Sequence, residues 1–177
     1  MDSGARGDTV LLALGSNLDT PMDRLRQAAT VLGDTLAGVA VSAVYRTPPE
    51  GGAPQPDYLN AVVRARSEMT PRELLELARS LEERAGRTRP YHGAPRTLDV
   101  DLLFVGDAMI TDADLEIPHP RWDTRDFVVV PLLDVAPEWR DPRSGRSVSE
   151  IARAAGWSAS RFPSVLDVGE LLYRAAE

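Results

Sequence analysis

The chain has 177 residues and a net charge of −7, with 43% hydrophobic and 27% charged side chains, which fits one globular domain with a full core. The acidic balance argues against nonspecific nucleic-acid binding. No apolar run approaches the ~18 residues of a membrane span, and no signal-peptide pattern opens the chain. With no cysteine there is neither a disulfide nor a thiolate metal site, so a cytoplasmic setting is expected.

Residues 1–8 are polar and Gly-containing, expected as a frayed leader to a single domain over 9–177. Val10 to Leu14 reads as a buried strand, broken by Gly15-Ser16-Asn17. That turn is too short for a P-loop; it is a tight connection or a small phosphate cradle. Thr20-Pro21-Met22-Asp23 reads as a helix start with Thr as N-cap and Pro at N1. Leu25, Ala28, Ala29 and Leu32 form the apolar face, and Gly33 is the expected stop. Val39 to Tyr45 alternates as a second strand.

Residues 46–57 hold four prolines and two glycines and predict a long loop of the kind that binds or covers ligands. A strand resumes from Tyr58 to Ala65. Asn60 is unusual in a strand interior and marks either an edge or an amide that reads a ligand. Thr70-Pro71-Arg72-Glu73 is a second capping box. Leu74, Leu75, Leu77, Ala78 and Leu81 follow at helical spacing up to Gly86, with Arg79, Glu82 and Glu83 off the stripe.

Arg84, Arg87, Arg89 and Arg96 lie on a Gly- and Pro-broken stretch that runs into the strand 96–105. All 20 basic residues of the chain are Arg, which genome composition also explains. Any phosphate chemistry would then run on guanidinium forks and metal, without a P-loop lysine. Asp99 and Asp101, two apart on that strand, stand on one face, while Leu98, Val100 and Leu102 face a core. Two neighbouring carboxylates are either solvated or share a hard cation, and Mg²⁺ takes one or two carboxylates and completes its shell with phosphate and water. Arginines beside the pair suit a polyphosphate.

Ile117-Pro118-His119-Pro120 is rigid and extended; its lone His reads as structural or as a ligand. Residues 127–136 (FVVVPLLDVA) are ambiguous between strand and helix. Residues 141–145 form a turn, and Ser147-Val148-Ser149-Glu150 caps a short helix ending at Gly156. The last 20 residues carry no interpretable motif. The order strand–helix–strand–strand–helix–strand predicts an α+β fold: a ferredoxin-like sandwich, mainly antiparallel, with helices packed on one face of the sheet.

Five blocks in order, LALGSNLD (12–19), YRTPPEG with QPDYLNAVV (45–63), EERAGR (82–87), APRTLDVDLLF (94–104) and IPHPR (117–121), resemble the 6-hydroxymethyl-7,8-dihydropterin pyrophosphokinase family. The resemblance spans about residues 9–140. It implies an ATP-dependent pyrophosphokinase of folate biosynthesis, which moves pyrophosphate from ATP to the pterin hydroxymethyl group and releases AMP with two Mg²⁺ ions. By this resemblance Asp99 and Asp101 are the metal ligands and, with Arg96 and Arg87, the catalytic set. Tyr58 and Phe127 sandwich the pterin, whose edge Thr47, Pro48 and Asn60 meet. Glu82, Arg87, Arg89, Arg96, His119 and Arg125 contact the nucleotide and its phosphates. Both irregular segments, 46–57 and 84–96, would close over the substrates. The expected partners are ATP, the pterin and other folate-pathway enzymes, with no nucleic acid or membrane.

Two departures stand out. A Trp usual in the family is Gly93 here, beside Tyr91 and His92, and a helix position that carries Gln in some members is Arg79. The alternatives are an Mg²⁺-dependent nucleotidyltransferase, which would release pyrophosphate, and a non-catalytic relative that binds pterin or nucleotide.

Overall fold

The computed structural model describes residues 7–50, 54–86, 96–167 and 169–172. Strand β1 (Asp8–Ser16) is followed by helix α1 (Pro21–Thr35), β2 (Ala37–Val41), β3 (Val44–Thr47), β4 (Tyr58–Ser67), α2 (Pro71–Arg84) and β5 (Asp99–Val105). A two-stranded hairpin of β6 (Ile110–Thr111) and β7 (Glu116–Ile117) comes next, then α3 (Asp126–Val135), α4 (Val148–Ala155) and β8 (Ser164–Leu166). The main sheet runs β5-β1-β4-β3-β8, with β2 also on β4, and every pairing is antiparallel. This is the expected ferredoxin-like order. No helix among the described residues is long and apolar enough to cross a membrane.

Alternation along the strands builds two cores. Val10, Leu12 and Leu14 of β1, with Leu98, Val100 and Leu102, pack against Leu25, Ala29 and Leu32 of α1 and Leu74, Ala78 and Leu81 of α2. Leu11, Val62 and Leu103 face the other way, onto Val129 and Leu132 of α3 and Ile151 of α4. The helices therefore cover both faces of the sheet, not one. The sequence pattern shows α1, α2 and α4 but not α3, which is hidden in the ambiguous 127–136 segment.

That segment is helical despite its β-branched run and the internal Pro131. Val128, Val129 and Val130 are all nearly inaccessible, and burial on two sides outweighs a propensity difference of a few tenths of a kcal/mol per residue. Other boundaries differ from expectation: β5 begins at Asp99 rather than Arg96, and β4 runs on to Ser67. Helix α1 continues past Gly33 to Thr35, and Thr20 makes no side-chain cap. The second strand is split into β2 and β3, with Ser42 spanning the break by bonds from its N–H to the Val62 carbonyl and from the Val62 N–H to its Oγ. Strand β1 begins at Asp8, inside the segment read as a leader; residues 1–6 lie outside the described ones. The capping boxes at Thr70 and Ser147 are formed as expected, and Gly156 closes α4 in the left-handed region.

Candidate active site

The C-terminal ends of β1 and β3 and the N-terminal ends of β4 and β5 meet at one end of the sheet. In the register, Asp99 pairs with Gly15, Gly15 with Asn60, and Asn60 with Tyr45. Residues paired in this way point to one face, so Asp99 and Asn60 flank a bare glycine. A Cβ on Gly15 would lie 2.8 Å from Asn60 Oδ1; only glycine leaves the trough open. The two flanking side chains stand two strand spacings apart, about 10 Å.

A cleft opens above this row. Asp99, Asp101 and Arg96 form one wall, Thr47, Pro48, Tyr58 and Asn60 another, and Arg125 and Phe127 at the start of α3 the third. Asp99, Asp101, Arg96, Arg125, Tyr58 and Phe127, all singled out in the sequence, thus line one cavity. Strand β4 lies between β1 and β3, so Asn60 is not on an edge. Its Nδ2 donates to Thr47 Oγ1 at 2.7 Å, and its side chain is buried against the cleft.

The paired acids are matched by cations. Arg96 Nη1 contacts Asp99 Oδ2 directly, and Arg125 Nη1 lies 3.6 Å from Asp101 Oδ2. His119 Nε2 is 3.8 Å from the same oxygen. Burial, with Arg125 and Arg121 adding to it, pushes His119 down to about 4. The imidazole is therefore neutral near pH 7 and its contact with Asp101 is proximity rather than an ion pair. Its Nδ1 accepts the Arg121 backbone N–H at 3.1 Å, as a neutral ring nitrogen can. Burial also lowers Arg125, yet a guanidinium keeps its proton in a protein. Its Nε is buried with no hydrogen-bond partner among the described residues.

Glu82 and His119 lie in a second depression, along the outer side of the edge strand β5, with Arg79, Asp114 and Glu116. Asp101 belongs to both hollows. Although off the apolar stripe of α2, Glu82 is buried, and its Oε1 accepts the Val100 backbone N–H at 2.9 Å. It serves as a substitute strand partner for β5. Arg87 and Arg89, like the loop position Gly93, lie outside the described residues.

Four residues of the site do not stand out in the sequence: Gly15, Asn17, Gln55 and Arg121. Arg121 lines the cleft and ends the IPHPR block, so its position was visible there. Asn17 is buried where the two irregular segments meet. Its Nδ2 donates to Gln55 Oε1 at 2.9 Å and to the Pro56 carbonyl at 3.0 Å, and its Oδ1 accepts the Arg96 N–H at 2.8 Å. Ser16 Oγ adds a bond to the Thr97 carbonyl. The GSN turn thus ties Arg96 to Gln55 and Pro56, which makes it more than a plain connection. Gln55 Oε1 also accepts from Tyr58 Oη at 3.3 Å.

Comparison with known proteins identifies the family. The profile of the 7,8-dihydro-6-hydroxymethylpterin-pyrophosphokinase (HPPK) family matches residues 11–137. A 2-amino-4-hydroxy-6-hydroxymethyldihydropteridine pyrophosphokinase of Synechocystis sp. is 42% identical over 144 residues, 80% of this chain and 73% of that one. A mitochondrial folate synthesis bifunctional protein of Arabidopsis thaliana is 38% identical over 129 residues, 71% of this chain but 23% of its own length. The crystal structure of wild-type Plasmodium falciparum HPPK-DHPS with SDX-DHP superposes with a TM-score of 0.68 at 13% identity, over 87% of this chain and 45% of that one. That likeness bears on the fold alone, and the present chain spans under half of the Plasmodium chain. By family profile and by identity, the chain belongs to the 7,8-dihydro-6-hydroxymethylpterin-pyrophosphokinase family.

Proposed function

We propose that this cleft is where the chain performs its family's reaction, transfer of pyrophosphate from ATP to the hydroxymethyl group of 6-hydroxymethyl-7,8-dihydropterin in folate biosynthesis, with AMP as the second product. The observation that carries the placement is that Asp101 lines both hollows, so one carboxylate faces a pterin on one side and a nucleotide on the other.

The pterin ring lies between Tyr58 and Phe127, where a flat heteroaromatic finds two apolar faces, with Asn60, Thr47 and Pro48 along its edge. ATP occupies the outer depression near Glu82 and His119, its triphosphate crossing β5 toward Arg96, Arg121 and Arg125. The buried Nε of Arg125 is a donor that a phosphate oxygen satisfies. Arg87 and Arg89 join the phosphate ligands on the strength of the sequence resemblance alone.

Two hard carboxylates on one strand face fit Mg²⁺. Among the described residues no group of three or more His, Cys, Asp or Glu forms a closed metal cage, so the remaining ligands would come from triphosphate and water, as Mg²⁺ favours. Asp99 and Asp101 would hold the two ions. Once bound, Mg²⁺ offsets the charge that develops on the phosphate oxygens.

What the chain itself supplies is mostly position. The stacked ring aims its hydroxymethyl oxygen at the β-phosphorus. That O–P bond forms as the bond to the α-phosphate oxygen breaks, and AMP departs. Asp99, in the same row as Asn60, takes up the hydroxyl proton. Arginines on the transferred oxygens, and the exclusion of water that the sequence resemblance assigns to 46–57 and 84–96, complete the arrangement. A cytoplasmic setting suits a reaction that draws on ATP. The bifunctional Arabidopsis relative supports other folate-pathway enzymes as partners.

Product analysis with ATP, Mg²⁺ and the pterin tests this reading. AMP and pterin diphosphate are expected, with Asp101→Asn slower by at least a hundredfold. Pyrophosphate release would make the protein a nucleotidyltransferase, and ligand binding with no product would make it a non-catalytic relative.

A further inference from the structure

The segment after α4, in which the sequence shows no motif, is joined to both of the walls assigned to the pterin. On one side β8 pairs with β3, Val44 opposite Leu166 and Tyr45 opposite Ser164. The Arg46 N–H donates to the Pro163 carbonyl at 2.9 Å, one residue before Thr47. On the other side Arg161 Nε donates to Asp126 Oδ2 at 2.6 Å. Asp126 Oδ1 in turn accepts the Phe127 backbone N–H at 2.8 Å. One carboxylate therefore links Arg161 to the residue that carries the ring.

Arg161 is itself held in place. Its guanidinium carbon lies 5.9 Å from the Trp157 ring centre and 5.5 Å from that of Phe162. Both rings pack on the small cluster of Ala43, Tyr45 and Val130, which joins β3 to α3. A planar cation stacked on two rings has little freedom to turn, so its hydrogen bond to Asp126 has a fixed direction.

We propose that residues 157–166 form a strap that sets the separation of the two pterin-facing walls, with Arg161 a positioning residue acting through Asp126 on Phe127. The proposal rests on the reading of Phe127 as a stacking face. Arg161 and Asp126 are 42% and 25% exposed, and an ion pair so open to water contributes little to global stability. Its effect is on where the ring stands. The pterin site should feel its loss, and the nucleotide depression on the far side of β5 should not.

The test is steady-state kinetics on the full chain with each substrate varied in turn, comparing the wild type with Arg161→Ala, Arg161→Lys and Phe127→Ala. Arg161→Ala should raise KM for the pterin about three- to tenfold, with kcat and KM for ATP changed less than twofold. Arg161→Lys, which keeps the charge but not the planar fork, should fall in between. Phe127→Ala should raise the pterin KM further. If Phe127→Ala raises it and Arg161→Ala does not, the strap proposal fails while the pterin site stands. If Arg161→Ala raises both KM values alike, it loosens the whole molecule and the proposal also fails. If Phe127→Ala leaves the pterin KM unchanged, the site reading itself fails. Should Arg161→Ala not fold, Asp126→Asn cuts the same link while keeping an oxygen for the Phe127 N–H, and the same outcomes apply.

Discussion

Asn17 Oδ1 accepts the backbone N–H of Arg96 at 2.8 Å, while the same side chain reaches back to Gln55 and Pro56 with its amide protons. These two residues lie 79 positions apart in the chain, and their contact joins the base of the arginine-rich segment to the loop that leads into Tyr58. Asn17 is only 4% exposed, so its bonds do not compete with bulk water. Asn17→Ala is expected to leave buried groups unpaired, at a stability loss of about 1–3 kcal/mol. It should also lower kcat/KM for both substrates about 10- to 100-fold, because Arg96 and the Gln55–Pro56 turn beside the cleft lose a shared anchor. Melting and steady-state kinetics on one preparation check both.

Glu82 separates a structural role from a ligand-facing one. As the acceptor for the Val100 N–H, it holds the strand that bears Asp99 and Asp101. Glu82→Ala strands that donor and should lower Tm by about 3–10 °C. Glu82→Gln keeps an oxygen in place and should recover most of the loss. If the carboxylate also faces the nucleotide, the Gln variant will still show a raised KM for ATP. A Gln variant with wild-type Tm and wild-type ATP kinetics would confine Glu82 to the strand.

The capping box at the start of α2 gives a pH signature. Hydrogen bonds from the Thr70 backbone, and then from its hydroxyl, hold Glu73 below its ordinary range. A carboxyl whose folded pKa is depressed stabilises the protein above its unfolded pKa, and that contribution is lost as pH falls through the folded value. Glu73→Gln should therefore melt below the wild type at pH 7, with the gap closing below about pH 4. Thr70→Ala, which removes the hydroxyl cap, should lower stability by about 1 kcal/mol at neutral pH. Thermal melts at pH 7 and pH 3.5 decide both.

Much of this molecule is legible from local pattern. Alternation along 98–102 announced which way Asp99 and Asp101 point, and the boxes at Thr70 and Ser147 marked two helix starts correctly. What failed to show depends on contacts distant in sequence. Val128–Val130 form a helix because both of their sides are covered, by the sheet and by the cluster around Tyr45, and nothing local says so. Helix α1 runs through Gly33 into a region that packs near Leu172. Gly15 looks like a turn residue, but the need for glycine comes from Asn60 on the neighbouring strand. Glu82 sat on the polar side of its helix by spacing, and the exposed backbone of an edge strand drew it into the interior. The candidate site residues stand mainly in the sequence blocks, Arg121 among them at the end of IPHPR, while the bonds that tie Asn17 to Gln55 and Arg96 appear only in the fold.

Asp99 and Asp101 are proposed to hold divalent cations over a cleft whose far wall is Tyr58 and Phe127. The most direct test is a crystal of the protein with Mn²⁺, a non-hydrolysable ATP analogue and the pterin, with anomalous scattering recorded at the manganese edge. The account predicts anomalous peaks within about 2.3 Å of the Asp99 and Asp101 carboxylate oxygens, with the pterin stacked between the two rings. Manganese bound away from both carboxylates, or a pterin seated elsewhere, would contradict it.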